Sequence, residues 1–221
     1  MSIGEYAAAV VAGVLTLSDA LQLVCARGRL VQESSACQGV MYAVRANCES
    51  IHSALQRASS TGLAAASVAA CNGSMSFVLS GSEVAVQQLL SLLPPRTGSV
   101  RLGVAHAFHS PLMRHIEAPF RAVLKKVKFN PLQSGVRFVS TVRGEVVSSA
   151  EISTVQYWVD HMLLEVRYTA AVQCAYRLGG RTFLEMGPQD TLTKLSRRVL
   201  EAKAKAAGAQ ASDVETLASL M

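Results

Sequence analysis

The sequence predicts an α/β protein whose body is interrupted by a small α+β insert of βαββαβ order. Three observations point there. Half of the residues are hydrophobic and only 16% are charged, enough apolar surface for a sizeable core. Between Gln38 and Ala107 the apolar pattern alternates strand, helix, strand, strand, helix, strand, the ferredoxin-like arrangement. On both sides of that stretch the pattern returns to helices, joined after it by short strands.

Ser2-Ile3-Gly4-Glu5 reads as a tight turn feeding an Ala/Val-rich helix that stops at Gly13. Ser18-Asp19 is the expected cap of a second helix through Leu21, Val24, Ala26 and Leu30. Within the insert, Gly39–Ala46 is strand-like and Cys48–Ser60 helical. Ala64–Ala70 and Met75–Leu79 are strands joined across Asn72-Gly73, a hairpin signal. Glu83–Leu93 is a helix ended by Pro94-Pro95, and Ser99–Ala105 a final strand. Beyond it come a helix over Pro111–Val127, a strand over Val136–Thr141 and helices over Val155–Met162 and Val166–Leu178. A strand over Thr182–Glu185 and a turn at Gly187-Pro188 lead to a last helix, Thr191–Ala204. The Ala-rich stretch from Ala206 to Met221 reads as a helix or linker. The expected units are residues 1–37 (body, first part), 38–107 (insert), 108–205 (body, second part) and 206–221 (tail).

Composition narrows the function. A net charge of +6 favours anionic partners, but no basic residues interleave with aromatics and no zinc spacing appears, so nucleic acid and metal are not expected. A CoA thioester or an acidic carrier protein meets the same sign. Five scattered cysteines with no CxxC read as reduced, mostly buried thiols. No apolar run is long enough for a membrane span and no signal-peptide layout is present, so the expected location is the cytoplasm, away from membranes.

Three residues could carry chemistry. Ser2, followed by x-Gly at a turn into a helix, is half of a nucleophile elbow, and equally an ordinary helix N-cap. His109, in His-Ala-Phe-His-Ser-Pro at the end of an apolar strand, could take a proton from a serine, or be a structural histidine. Arg27, among apolar neighbours, could grip a carboxylate with two parallel hydrogen bonds, or be as solvated as Arg29 is expected to be.

Taken together, the segments Ser-Ile-Gly-Glu-Tyr-Ala-Ala-Ala, Ala-Arg-Gly-Arg-Leu-Val-Gln, Asn-Gly-Ser-Met-Ser-Phe-Val-Leu-Ser-Gly, His-Ala-Phe-His-Ser-Pro-Leu-Met, Tyr-Trp-Val-Asp-His and Phe-Leu-Glu-Met-Gly-Pro form one pattern. In this order, over roughly residues 1–200, they resemble the malonyl-CoA:acyl carrier protein transacylases and the acyltransferase domains of polyketide and fatty acid synthases. The resemblance implies a hydrolase-like parallel-sheet body carrying the ferredoxin-like subdomain. It implies Ser2 as the acyl-accepting serine, His109 as its general base and Arg27 as the partner of the malonyl carboxylate. Ile3 would lend its N–H to the oxyanion hole, and Arg167 its main-chain carbonyl to orient the histidine. Phe108 and Ile3 match the markers that accompany malonyl rather than methylmalonyl units. Malonyl-CoA is then the substrate, the phosphopantetheine thiol of an acyl carrier protein the acceptor, and neighbouring synthase domains further partners, with no bound cofactor.

The pattern departs from the family at its start. The family places Gly-His before the serine, where this chain has only Met1. The strand entering the elbow and a Gly-Gln-Gly loop that supplies the other oxyanion contact have no counterpart. The chain is therefore expected to be an N-terminally truncated piece, poorly soluble or inactive when expressed by itself. Two other functions stand beside malonyl transfer. One is a catalytically silent fragment or carrier-protein docking domain. The other is a hydrolase-like relative that removes stalled acyl groups, which would need no carboxylate clamp.

Overall fold

Gly13 ends the first helix in the left-handed region, at φ +79°, where a side chain would be strained. The computed structural model describes residues 1–60, 66–206 and 215–220. Helix α1 spans Gly4–Val11 and α2 spans Leu17–Glu33. The cap of α2 is Thr16, whose hydroxyl accepts from the Asp19 N–H at 3.1 Å. Ser18 and Asp19 lie in the first turn instead. The Thr-x-x-Asp spacing lets both side chains serve the helix start, which Ser18 could not do from inside it.

The insert is a four-stranded antiparallel sheet. Its elements are β1 (Val40–Arg45), α3 (Cys48–Ser60), β2 (Ala66–Gly73), β3 (Ser76–Gly81), α4 (Glu83–Ser91) and β4 (Gly98–Arg101), with sheet order β2-β3-β1-β4. The expected start of β2 at Ala64 falls outside the described residues. The hairpin turn is Ser74-Met75, not Asn72-Gly73. Cys71 pairs with Phe77 and Gly73 with Ser76, so Asn72 is the extra residue of a β-bulge. β4 stops at Arg101, short of the expected Ala105. From there the chain keeps single contacts to its neighbours, such as the Gly39 N–H to the Ala105 carbonyl at 3.1 Å.

Alternation along the strands gives this sheet two buried faces. Val40, Val44, Phe77 and Leu79 meet Ile51 of α3 and Leu89 of α4. Met41 and Val78 point the other way, into a cluster with Val166, Tyr168, Val172, Val199 and Leu200. That second cluster joins the insert to the body.

The body's own core centres on Trp158, fully buried, with Tyr6, Leu23, Phe120 and Tyr157 around it. It is built from α1, α2, α5 (Glu117–Leu124), α6 (Ser149–Ile152) and α7 (Val155–Leu163). The single helix expected over Pro111–Val127 is two pieces, a 3₁₀ stretch Pro111–Ile116 and then α5. Pro119 has no N–H to give to the residue four back, so the α-helix restarts just before it. The strand expected over Val136–Thr141 is a loop whose one ladder pairing among the described residues is an isolated antiparallel bridge, Val139 with Val146. Its chain turns because the Ser140 hydroxyl accepts the N–H groups of Val142 and Arg143, and Gly144 follows at φ +77°. A Cβ on Gly144 would come within 2.6 Å of the Ala170 Cβ, so helix α8 (Tyr168–Arg177) needs a glycine here.

β5 (Thr182–Gly187) and helix α9 (Thr191–Ala206) close the body. Part of the tail corrects the expectation of a helix or linker: Glu215–Leu220 is a strand, β6, paired parallel to β5. Residues 207–214 and 221 lie outside the described residues. The body's parallel sheet thus amounts to β5 and β6 among the described residues. All five cysteines are free, but only Cys37 and Cys174 are buried, fewer than expected. No described helix is long and apolar enough to cross a membrane.

Candidate active site

Ser2 occupies the tight turn that starts α1, with φ +48°. That left-handed conformation costs a residue with a Cβ about 1–2 kcal/mol. Such strain persists only where the surroundings impose it. Its Oγ lies 2.8 Å from His109 Nε2. His109 also has a positive φ, +56°, and its carbonyl accepts from the Ser67 hydroxyl at 3.1 Å. Both partners are therefore presented by strained turns, one at a helix start and one where the chain leaves the sheet.

The tautomer of His109 follows from its partners. Nδ1 faces the Leu164 carbonyl at 2.9 Å, and a carbonyl can only accept. Nδ1 therefore carries the proton, and bare Nε2 accepts from the Ser2 hydroxyl. Burial, then the positive Arg27, then His161 hold the His109 pKa down to about 3, against the pull of the Leu164 bond. The ring is neutral at physiological pH, the state a base requires.

The orienting carbonyl belongs to Leu164, not to Arg167 as expected. The Arg167 carbonyl accepts from the Ala171 N–H at 3.0 Å in the first turn of α8, which spends it on the helix. Leu164, the C-cap of α7, is extended, so its carbonyl is left over to face the histidine.

Arg27 is 4% exposed on the inner face of α2, while Arg29 is exposed. Its Nη1 has no hydrogen-bond partner, and no carboxylate lies within ion-pair distance of it among the described residues. A buried guanidinium left unpaired is costly, and such a site stores affinity for an anion. Arg27, Ser2, Ile3, His106 and Phe108 line one cavity of about 400 Å³. Ile3 is 48% exposed, and its N–H makes no hydrogen bond among the described residues. Ser2, His109, Arg27, Ile3 and Phe108 are thus brought together, and Arg167 is not.

Behind the serine lies a polar cluster to which the sequence reading assigned no role. Glu5, 4% exposed, accepts from the Thr141 N–H at 3.2 Å, from the Thr141 hydroxyl and from the Tyr157 hydroxyl. Burial and the Glu5 carboxylate push the Tyr157 phenol far up, so it stays a donor. His161, 2% exposed, places Nε2 3.1 Å from the Ser2 carbonyl. The same nitrogen is 3.9 Å from Glu5, yet burial and then Arg27 hold the ring's pKa well below 6.5. The ring is neutral, and the contact is no ion pair. The available signal was the motif itself: Glu5 stands in Ser-Ile-Gly-Glu-Tyr and His161 in Tyr-Trp-Val-Asp-His. No metal-binding group of His, Cys, Asp or Glu forms among the described residues.

Comparison with known proteins shows the family. A family model described as acyl transferase domain matches residues 1–220. The spectinabilin polyketide synthase system protein NorB of Streptomyces orinoci is 38% identical over 210 residues, 94% of this chain and 9% of that protein. The solved acyltransferase domain from the second module of the salinomycin polyketide synthase is 36% identical, with a TM-score of 0.81, across 98% of this chain and 47% of that one. A malonyl-transacylase solved in complex with its type II polyketide acyl-carrier protein is 26% identical, with a TM-score of 0.84, over 99% of this chain and 67% of that one. The chain thus spans about half of the salinomycin domain and a small share of the large synthase.

Proposed function

The chain belongs to the acyl transferase domain family, and from that premise we propose that it moves a malonyl group from CoA to the phosphopantetheine thiol of an acyl carrier protein. The observation that carries this reading is Arg27, a buried cation with no carboxylate partner among the described residues, in the same cavity as the candidate nucleophile. A free carboxylate on the acyl group would complete it, and an uncharged acyl chain would not. A hydrolase of neutral acyl groups would have no use for this arrangement.

The chemistry follows from the pair's geometry. His109 Nε2 takes the Ser2 proton as Oγ attacks the thioester carbonyl. Backbone N–H groups, that of Ile3 among them, hold the oxyanion, each worth about 3–4 kcal/mol in comparable sites. The carbonyl re-forms, the C–S bond breaks, and CoA leaves with the proton from His109. The carrier thiol then enters, gives its proton to His109 and attacks the serine ester, and Ser2 is regenerated. No cofactor is needed for these steps. Phe108 walls the cavity where an α-methyl would go, favouring malonyl over methylmalonyl.

The malonyl-transacylase solved with its carrier protein supports the choice of acceptor. Neighbouring synthase domains are further partners, as in the polyketide synthases this chain resembles. In this reading the units are residues 38–107 as a ferredoxin-like subdomain and 1–37 with 108–205 as a hydrolase-like body.

The test is direct. Malonyl-CoA is added to the 221-residue chain and to a chimera in which it replaces the matching part of the salinomycin domain. Tryptic peptide mass should place a malonyl ester on Ser2, absent in Ser2→Ala. Undiminished acylation of the alanine variant would overturn the assignment.

A further inference from the structure

We propose that His161 is a positioning residue for the nucleophile: its Nε2–H holds the Ser2 carbonyl and keeps Ser2 in the backbone turn that aims Oγ at His109. The inference rests on Ser2 being the nucleophile. Two donors converge on the Ser2 oxygen, the Glu5 N–H at 2.8 Å and His161 Nε2 at 3.1 Å. The first is an ordinary first-turn helix bond that any side chain at position 2 would allow. The second comes from 159 residues away and fixes the turn to a different element, α7.

That element also holds the base. Leu164, three residues after His161, gives its carbonyl to His109 Nδ1. One short segment, the end of α7 and its cap, therefore grips both halves of the pair, Ser2 through a side chain and His109 through the main chain. The 2.8 Å separation between Oγ and Nε2 is set against this common frame. Without the His161 bond His109 stays fixed by Leu164, and the serine turn, at φ +48°, loses the long-range tie on its main chain.

The ring's surroundings favour this role over simple filling. His161 is wedged against Tyr6, with ring centroids 5.3 Å apart, and Trp158, at 5.5 Å, in a site where an aliphatic side chain would pack without polar cost. Its Nδ1 is buried with no partner. The bond to Ser2 is thus the only hydrogen bond the ring makes among the described residues, and it is what a leucine would lack.

The first test needs no substitution. Long-range ¹H–¹⁵N correlation on the 221-residue chain should report the Nε2–H tautomer for His161 at neutral pH. The Nδ1–H tautomer would overturn the proposal. The second test measures Ser2 phosphorylation by diisopropyl fluorophosphate, in which Oγ bonds to phosphorus, fluoride leaves and the serine proton passes to His109. His161→Leu should slow labelling about tenfold or more, as a small misplacement of reacting atoms does. His161→Gln, whose amide can still donate, should stay within about threefold of the parent. In malonyl transfer, His161→Leu should lower kcat with KM unchanged. Labelling of His161→Leu at the parent rate, or equal slowing by Gln and Leu, would overturn the proposal. If His161→Leu fails to melt cooperatively, the tautomer and the glutamine variant decide. If the parent is not phosphorylated at all, the serine-ester reading fails, and the tautomer still decides whether His161 donates to Ser2.

Discussion

Ser2 Oγ and His109 Nε2 meet at 2.8 Å across 107 residues of sequence, and each residue holds a left-handed backbone conformation to do so. The strain at two such turns is maintained by the packing of α1, α7 and the insert around them. A serine and a histidine held this way have the geometry of a proton-transfer pair rather than of a cap and a core side chain.

Removing the base tests that pair. His109→Ala should slow acylation of Ser2 by about 10²–10⁴-fold, the usual size of general-base catalysis. Pre-steady-state acylation by malonyl-CoA measures it. A change below about threefold would mean that His109 takes no proton.

Acid should destabilise the protein early. His109 and His161 are buried and neutral, with pKa values lowered below the ordinary 6.5. Below that value the unfolded chain binds protons that the folded chain refuses, so stability is full above about pH 6.5 and falls as pH drops toward His109's folded value. The slope is at most about 1.4 kcal/mol per pH unit for each histidine. Denaturant melts at pH 7.5, 6 and 5 should show the loss, and His161→Gln should lessen it. Equal stability at all three would contradict the neutral assignment.

Glu5 should be a stability residue. Glu5→Ala leaves the Thr141 N–H, the Thr141 hydroxyl and the Tyr157 hydroxyl without their acceptor. The expected loss is about 2–4 kcal/mol, read from denaturant melts. Tyr157→Phe removes one donor and should cost less, about 1 kcal/mol. Equal losses for the two variants would show that the carboxylate is not the hub of this cluster.

Phe108 should set the size of the acyl unit. Phe108→Ser enlarges the cavity shared with Ser2 and Arg27. The ratio of kcat/KM for methylmalonyl-CoA over malonyl-CoA should rise, by about tenfold for one methylene-sized contact. An unchanged ratio would place the methyl elsewhere.

Much of this site could be read from the residues. Helix α3 runs over Cys48–Ser60 as its apolar spacing indicates, because a helix covering one sheet face carries a plain amphipathic pattern. Ser2, His109 and Arg27 were legible because the roles proposed for them belong to their side chains. Leu164 was not, since a main-chain carbonyl leaves no trace in residue type. His161 and Glu5 stood inside recognisable motifs, but their work lies in contacts with residues 159 and 136 positions away. β6 was hidden for the same reason. Glu215–Leu220 becomes a strand by pairing with β5, and its Ala-rich neighbourhood gives no such signal.

The most direct test of malonyl transfer ties Arg27 to substrate charge. The measurement is the ratio of kcat/KM for malonyl-CoA over acetyl-CoA, in the parent protein and in Arg27→Ala and Arg27→Lys. Arg27→Ala removes the charge-assisted hydrogen bonds and leaves the malonate carboxylate desolvated without a partner. Acetyl-CoA has no such group. The ratio should collapse by about 10²-fold or more, since the lost pair is worth roughly 3–5 kcal/mol, with acetyl transfer spared or improved. Arg27→Lys should recover little of it, because a point charge cannot reproduce the planar fork. A ratio unchanged by Arg27→Ala would mean that the buried guanidinium does not meet the carboxylate, and the account of malonyl selectivity would be wrong.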